Sequence, residues 1–332
     1  MTILVTGVAG FIGHAVAAAL AGRGERVVGI DNLNDYYDPA LKRARLADLA
    51  ARFGGAVEFV EADIADEHAL DAAVAGRGVD RIVHLAAQAG VRYSLENPRA
   101  YVRSNLAGHV NVLELARGLG ARHLVYASSS SVYGGNAKLP FSVEDRVDRP
   151  VSLYAATKRS DEMLSESYAH LFRIPQTGLR FFTVYGPWGR PDMAVWLFTS
   201  AILEGRPIKV FNNGAMRRDF TYIDDIVAGV LAALDRPPAD DGAEKPGGSI
   251  TPHARYNLGN SRAEELSHLI AAIEAACGRE AVREMLPMQP GDVSATYADI
   301  AVSTRDLDFS PATSIEQGVG RFVDWYRAHH GI

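Results

Sequence analysis

Ile3-Leu4-Val5-Thr6-Gly7-Val8-Ala9-Gly10-Phe11-Ile12-Gly13 joins a short apolar run to three glycines spaced three apart, and Val16, Ala19 and Leu20 follow at helical spacing. Alone, such a glycine pattern is a weak signal. Between a strand and a helix it is a strong one, because glycine lets backbone approach a pyrophosphate where the free amides and dipole of a helix N-terminus favour an anion. The next apolar run, Arg26-Val27-Val28-Gly29-Ile30, ends on Asp31. An acid at that strand end is placed to bond both hydroxyls of an adenine ribose and to repel a 2′-phosphate, which reads as NAD rather than NADP. The competing reading makes Asp31 a helix or turn cap.

The same alternation continues outward. Val57-Glu58-Phe59-Val60 runs to Asp63-Ile64, Arg81-Ile82-Val83-His84-Leu85 to Ala86-Ala87-Gln88, and His123-Leu124-Val125-Tyr126-Ala127 to the serine run Ser128 to Ser131. Helical patterns at 39–53, 67–75, 105–119 and 152–172 separate these strands. Five strand-helix units predict an α/β fold with a doubly wound parallel sheet, helices on both faces, and ligands beyond the carboxyl ends of the strands. Asp63 then meets the adenine end, and the small residues Ala86 and Ala87 let a cofactor lie against backbone. After a strand at 176–182 and an irregular Pro/Gly-rich passage at 183–192 come helix 193–203, strand 208–211 and a helix ending near 234. Residues 236–255 are Pro, Gly and charge, which predicts an exposed, mobile loop. A strand at 256–259 and a terminal helix at 315–329 complete the expected order.

Tyr154-Ala-Ala-Thr-Lys158 lies in the helix at 152–172, where residues four apart share a face. A free phenol, with a pKa of roughly 10, is a poor base at neutral pH, and a fixed cation nearby favours the phenolate. Tyr154 is therefore a candidate proton acceptor and Lys158 the charge that supports it. The serine hydroxyls, at a strand end shortly before Tyr154, suit a donor to a substrate oxygen.

Composition narrows the classes. The 332 residues carry a formal charge of -6, with 48% hydrophobic and 22% charged residues, which is ordinary globular composition and argues against a nucleic-acid binder. A single cysteine, Cys277, forms no internal disulfide, and the ten histidines show no metal-ligand spacing. No signal-peptide pattern and no apolar run long enough for a bilayer is present, so a soluble, cytoplasmic protein without a membrane partner is expected.

Taken together, the glycine turn, Asp31, the serine run and Tyr154 with Lys158 resemble the extended short-chain dehydrogenase/reductases of the nucleotide-sugar epimerase type. Within that group the chain is similar to UDP-glucuronate 4-epimerases, on Asp31-Asn32-Leu33-Asn34-Asp35-Tyr36-Tyr37-Asp38, Arg180-Phe181-Phe182-Thr183-Val184-Tyr185-Gly186-Pro187 and Met288-Gln289-Pro290-Gly291-Asp292-Val293. The resemblance covers nearly the whole chain. It implies a Rossmann-type NAD-binding domain over 1–182, with 221–260 returning to it, and a smaller substrate-binding domain from 183–220 and 261–332. It also implies a homodimer built on the helices at 105–119 and 152–172.

For the site, the resemblance implies NAD held by Gly7, Gly10, Phe11, Ile12, Gly13, Asp31, Asn32, Asp63, Ile64, Leu85, Ala86, Ala87, Gln88, Asn105, Tyr154, Lys158 and Phe181. A UDP-sugar would meet Ser129, Ser130, Ser131, Thr183, Arg190, Lys209, Phe211, Arg218 and Gln289. The usual catalytic serine falls at Ser129, with Ser131 as the second oxygen contact and Ser130 still open. Arg218 matches the position that grips diphosphate, Phe211 the one at the uracil end, and Thr183 with Arg190 would hold a sugar carboxylate. The implied reaction inverts carbon 4 through a 4-keto sugar without net redox. Sugar 4,6-dehydratases carry an Asp-Glu pair where Ser130-Ser131 stands here, and galactose epimerases usually have asparagine at Thr183. UDP-glucuronate decarboxylase and UDP-glucose 4-epimerase remain alternatives, while a non-catalytic NAD-binding scaffold would be expected to lose Tyr154 or Lys158.

Overall fold

The computed structural model describes residues 1–288 and 295–332. Six strands, β1 (Thr2–Thr6), β2 (Arg26–Asp31), β3 (Val57–Glu61), β4 (Val79–His84), β5 (His123–Ser129) and β6 (Gln176–Phe181), join the edge strand His253–Leu258 in one seven-stranded sheet. The order is His253–Leu258, β6, β5, β4, β1, β2, β3, and every neighbouring pair is parallel. Parallel sheets are covered on both faces, so their strands read as continuous apolar runs. All five residues of β1 are buried: Ile3 and Val5 join one core with Val27, Val83, Val125 and Leu179, and Leu4 joins another with Val28, Ile30, Ile82 and Leu124. On the first face lie helices Phe11–Gly22 and Ile223–Leu234, and on the second Glu67–Val74 and Gly108–Leu119. The strand order reverses between β1 and β4, and a crevice opens at that reversal.

Short sheets build the remainder. Thr183–Tyr185 pairs with Phe220–Tyr222, Arg217–Arg218 with Glu264–Glu265, and Ile208–Phe211 with Arg283–Leu286. Asp219 ties this region together. Its buried carboxylate accepts from the amides of Asn260 (2.6 Å), Ser261 (3.0 Å) and Ala298 (3.0 Å) and from the Thr221 hydroxyl (3.0 Å). Burial raises that carboxyl to about 6, against the pull of these donors.

Three expectations need correction. The helix expected at 105–119 is preceded by a short turn at Pro98–Tyr101 and a widened π-type stretch at Val102–Ala107 before Gly108–Leu119. The edge strand starts at His253, three residues before the sequence pattern indicates. The loop at 236–255 is exposed near Asp240 and Asp241, but Asp240 pairs with Arg173 outside the loop and Asp241 with Lys245 within it. Ser249 donates to Glu166 at 2.7 Å, and Ser249 and Thr251 are buried.

Candidate active site

A cleft, partly open to solvent, runs across the carboxyl ends of β1, β2, β4 and β5. Its floor is the glycine turn. Gly7 has φ +75°, and a Cβ there would come within 2.7 Å of the Ala86 amide nitrogen; a Cβ at Gly13 would meet the Gly7 carbonyl at 2.0 Å. These close approaches explain why glycine stands at both positions, and they leave a backbone cradle at the start of helix Phe11–Gly22.

At the end of β2 the Asp31 carboxylate accepts from the amides of Leu33 (2.9 Å) and Ala9 (3.2 Å). Burial pushes this carboxyl above its ordinary range, with Lys42 and the two amides pulling the other way. Lys42 bonds the carbonyl and side-chain oxygens of Asn34 at 2.7 and 2.8 Å and reaches the cleft beside Tyr36 and Tyr37. Farther along, Asp63 accepts from the Ala65 amide and from Arg103, both at 2.9 Å. The backbone of Gln88 is held by Asn105, which accepts from its amide (2.8 Å) and donates to its carbonyl (3.1 Å) and to Thr157 (3.0 Å). Asn105 thus sits behind the cleft wall, because the widened turn aims its amide at the Gln88 backbone.

Tyr154 and Lys158 enter from helix Leu153–Phe172, whose first turn is capped by the Ser152 hydroxyl accepting from the Ala155 amide at 3.1 Å. Lys158, 3% exposed, donates to the Ala127 carbonyl (2.9 Å) and to Asp161 (3.1 Å). The Tyr154 ring stands edge-on to Tyr101, with centroids 6.1 Å apart. Behind this helix Arg180 of β6 forms a buried two-pronged pair with Glu162 at 2.8 and 2.9 Å, and Ser128 donates to the same carboxylate at 2.7 Å. Burial alone would raise Glu162; the guanidinium and Ser128 outweigh it and hold the carboxyl at about 2. These bonds fix helix Leu153–Phe172 to two strands of the sheet.

The cleft brings together Gly7, Gly10, Phe11, Ile12, Gly13, Asp31, Asn32, Asp63, Ile64, Leu85, Ala86, Ala87, Gln88, Ser129, Tyr154, Lys158, Phe181 and Arg190. Other candidates stand off its wall. Ser130 and Ser131 turn into the short helical stretch Ser130–Tyr133, with the Ser129 hydroxyl accepting from the Ser131 amide at 3.1 Å. Thr183 opens the short strand that pairs with Phe220, Lys209 is exposed on Ile208–Phe211, and the Phe211 ring lies 4.9 Å from the Arg92 guanidinium. Arg218 donates to the Arg217 carbonyl at 3.0 Å. Gln289 falls outside the described residues. Arg190 makes a fork-to-fork pair with Asp192 at 3.0 and 2.5 Å, and Tyr36 donates to the same carboxylate at 3.0 Å. Asn34, Tyr36 and Tyr37, from the 31–38 run on which the resemblance rests, also line the cleft, as do Lys42 and Met193, for which the sequence offers no signal.

A backbone cradle that tolerates no Cβ, followed by an acid at the next strand end, fits a dinucleotide with a free ribose diol. Among the described residues no group of His, Cys, Asp and Glu is arranged to hold a metal ion.

The pattern of the NAD dependent epimerase/dehydratase family matches residues 3–259. A probable UDP-glucuronate 4-epimerase of Rhizobium meliloti (strain 1021) is 48% identical over 340 residues, covering 99% of both chains. UDP-glucuronate 4-epimerase 4 of Arabidopsis thaliana is 48% identical over 99% of this chain and 76% of its own. Among solved structures, the UDP-glucuronic acid 4-epimerase from Bacillus cereus in complex with UDP-glucuronic acid and NAD superposes with a TM-score of 0.87 at 33% identity, covering 99% of this chain and all of the other.

Proposed function

Because this chain belongs to the NAD dependent epimerase/dehydratase family, we propose that it inverts carbon 4 of UDP-glucuronate to give UDP-galacturonate, through a transient 4-keto sugar and with no net redox. The observation that carries the reading is the convergence of the glycine cradle, Asp31, Ser129, Tyr154, Lys158 and Arg190 on one cleft. The hydride taken from carbon 4 and returned to its other face is the part of the chemistry that bound NAD supplies. Gly7, Gly10 and Gly13 would hold its pyrophosphate and Asp31 its ribose.

Tyr154 accepts the proton of the 4-hydroxyl and returns it, and the Lys158 ammonium favours the phenolate that does so. Ser129 orients the sugar oxygen from the end of β5. Ser131, or Ser130 in its place, would follow once the sugar is seated. Arg190 with Thr183 binds the sugar carboxylate by charge-assisted hydrogen bonds, and Arg218 the diphosphate. Lys209, Phe211 and Gln289 complete the nucleotide end. Loss of carbon dioxide from a β-keto acid is easiest when the breaking bond stands perpendicular to the ketone, so a carboxylate clamped near the carbonyl plane keeps its carbon.

In this reading residues 1–182 and 221–260 form the dinucleotide-binding domain, and 183–220 with 261–332 the substrate domain. The enzyme works in the cytoplasm as a homodimer; among the described residues no helix is long and apolar enough to cross a membrane. Support for the dimer comes from an apolar groove on the outer face of the catalytic helix, lined by Val102, Leu106, Val110, Met163 and Leu164. Incubation of the purified protein with UDP-glucuronate tests the activity. UDP-galacturonate without accumulating NADH or carbon dioxide is the expected outcome. A pentose product with carbon dioxide makes it a decarboxylase, and NADH released in step with product a dehydrogenase.

A further inference from the structure

Lys158 has a second partner that the reaction as described does not use. Asp161, one turn along the same helix and 1% exposed, meets the ammonium at 3.1 Å from the side away from the cleft. Its other oxygen, Oδ1, is buried with no hydrogen-bond partner. A half-satisfied buried carboxylate is a poor device for stability, since desolvating it costs about as much as one ion pair returns. We propose that Asp161 is a positioning residue of the reaction: with the Ala127 carbonyl it fixes two of the three Lys158 N–H bonds, leaving the third for the cleft, and its charge moderates the field Lys158 exerts on Tyr154.

The surroundings make Asp161 the switchable member of its group. On its own helix it faces Lys158 and Glu162; His109 of Gly108–Leu119 lies near its backbone and bonds Ser165 at 2.9 Å, Tyr126 of β5 faces it, and His84 of β4 faces Lys158. Burial, then Lys158, holds His84 at about 3, and burial lowers His109 well below its usual range, so both are neutral. Burial keeps the Tyr126 phenol protonated, and Glu162 stays ionised. Asp161 differs. Burial raises its carboxyl to about 7, with Lys158 pulling down and Glu162 adding to the rise. Its negative charge thus comes and goes near neutral pH, and when present it offsets part of the cation that favours the Tyr154 phenolate.

The inference rests on the proposed role of Tyr154 and Lys158, and the dependence of kcat/KM for UDP-glucuronate on pH tests the two separately. Seven residues of helix separate Asp161 from Tyr154 by about 10 Å, and at an effective dielectric of about 20 one charge at that distance moves a pKa by about one unit. Asp161→Asn keeps the size and removes the charge, so its acid limb should lie at lower pH by up to about one unit and follow a single ionisation. Asp161→Ser, which leaves room for a water, should shift the same way. A merely structural Asp161 would lower the rate at all pH values and leave the limb in place, which would overturn the inference. Should neither variant fold, the phenolate absorbance of wild type minus Tyr154→Phe is read against pH: coupled sites give a curve broader than one proton, and a one-proton curve overturns the inference. Wild-type protein inert on UDP-glucuronate would instead refute the proposed function.

Discussion

Tyr154, the proposed proton acceptor, stands edge-on to Tyr101, whose buried hydroxyl donates to the Ala89 carbonyl at 2.8 Å, so its ring is set by packing as well as by its helix. Tyr154→Phe keeps that packing and removes only the phenol. The rate should fall by roughly two to four orders of magnitude, the scale of acid-base catalysis, while thermal stability and NAD retention stay near wild type. Near-normal turnover by the folded variant would move the base elsewhere. Asp192 occupies the guanidinium fork of Arg190 in the structure, so under the proposed carboxylate role the sugar has to share or displace it. Arg190→Ala should therefore cut kcat/KM for UDP-glucuronate by roughly tenfold to a hundredfold, the worth of charge-assisted hydrogen bonds, and that for UDP-glucose by much less. Equal losses on both sugars would assign Arg190 to the diphosphate or the fold.

At the scale of elements, the helix bearing Tyr154 and Lys158 is held by the Arg180–Glu162 pair, and that pair makes a prediction about pH. Glu162 titrates at about 2 in the folded protein against an ordinary 4.5. Its folded value is depressed, so its stabilisation is present in full above about pH 5 and lost as pH falls toward about 2; the shift corresponds to about 3 kcal/mol. Urea denaturation of wild type and Glu162→Gln should differ by at least that amount at neutral pH, and the gap should narrow steadily in acid. A gap independent of pH would mean that Glu162 acts through packing alone. Both proteins keep Asp161, whose raised carboxyl works in the opposite sense; because Glu162 adds to that rise, the narrowing of the gap is read on the acid side of it, from about pH 5 to about pH 2. Legibility in the sequence differed by element for a physical reason. The turn Gly7 to Gly13 and the end of β2 are local chemistry, readable from a few neighbouring residues. The resemblance gives Asn105 to the cofactor, and the structure adds that it holds the Gln88 backbone from behind, a position no periodicity announces because it depends on the widened turn at Val102–Ala107. The composition of 236–255 predicts mobility but carries no information about the Arg173 and Glu166 side chains that bond it from 67 and 83 residues away.

The whole molecule shows the same division. Arg45 is fully buried and donates to the Ala9 carbonyl (2.9 Å), the Tyr37 hydroxyl (2.7 Å) and the Trp188 carbonyl (2.7 Å), joining the glycine turn to the passage that carries Arg190. In sequence it is one cation on an amphipathic helix, and only the tertiary structure gives it this bridging position. The apolar face of the catalytic helix is the counterpart at the surface. Val102 is 49% exposed and Met163 59%, an unusual outlay of apolar side chains for a face with no function. A two-fold interface places the same patch on both subunits, so one substitution alters it twice. Met163→Glu at the middle of this groove sets two carboxylates into an apolar contact and should weaken self-association at least tenfold, read by analytical ultracentrifugation across a dilution series. The same helix carries Tyr154 and Lys158 on its opposite, sheet-facing side. Loss of the partner should accordingly lower activity together with dimer content, and activity should return at higher protein concentration. A variant that sediments as wild type, or a wild type that is monomeric throughout the series, would remove this face from the proposed assembly.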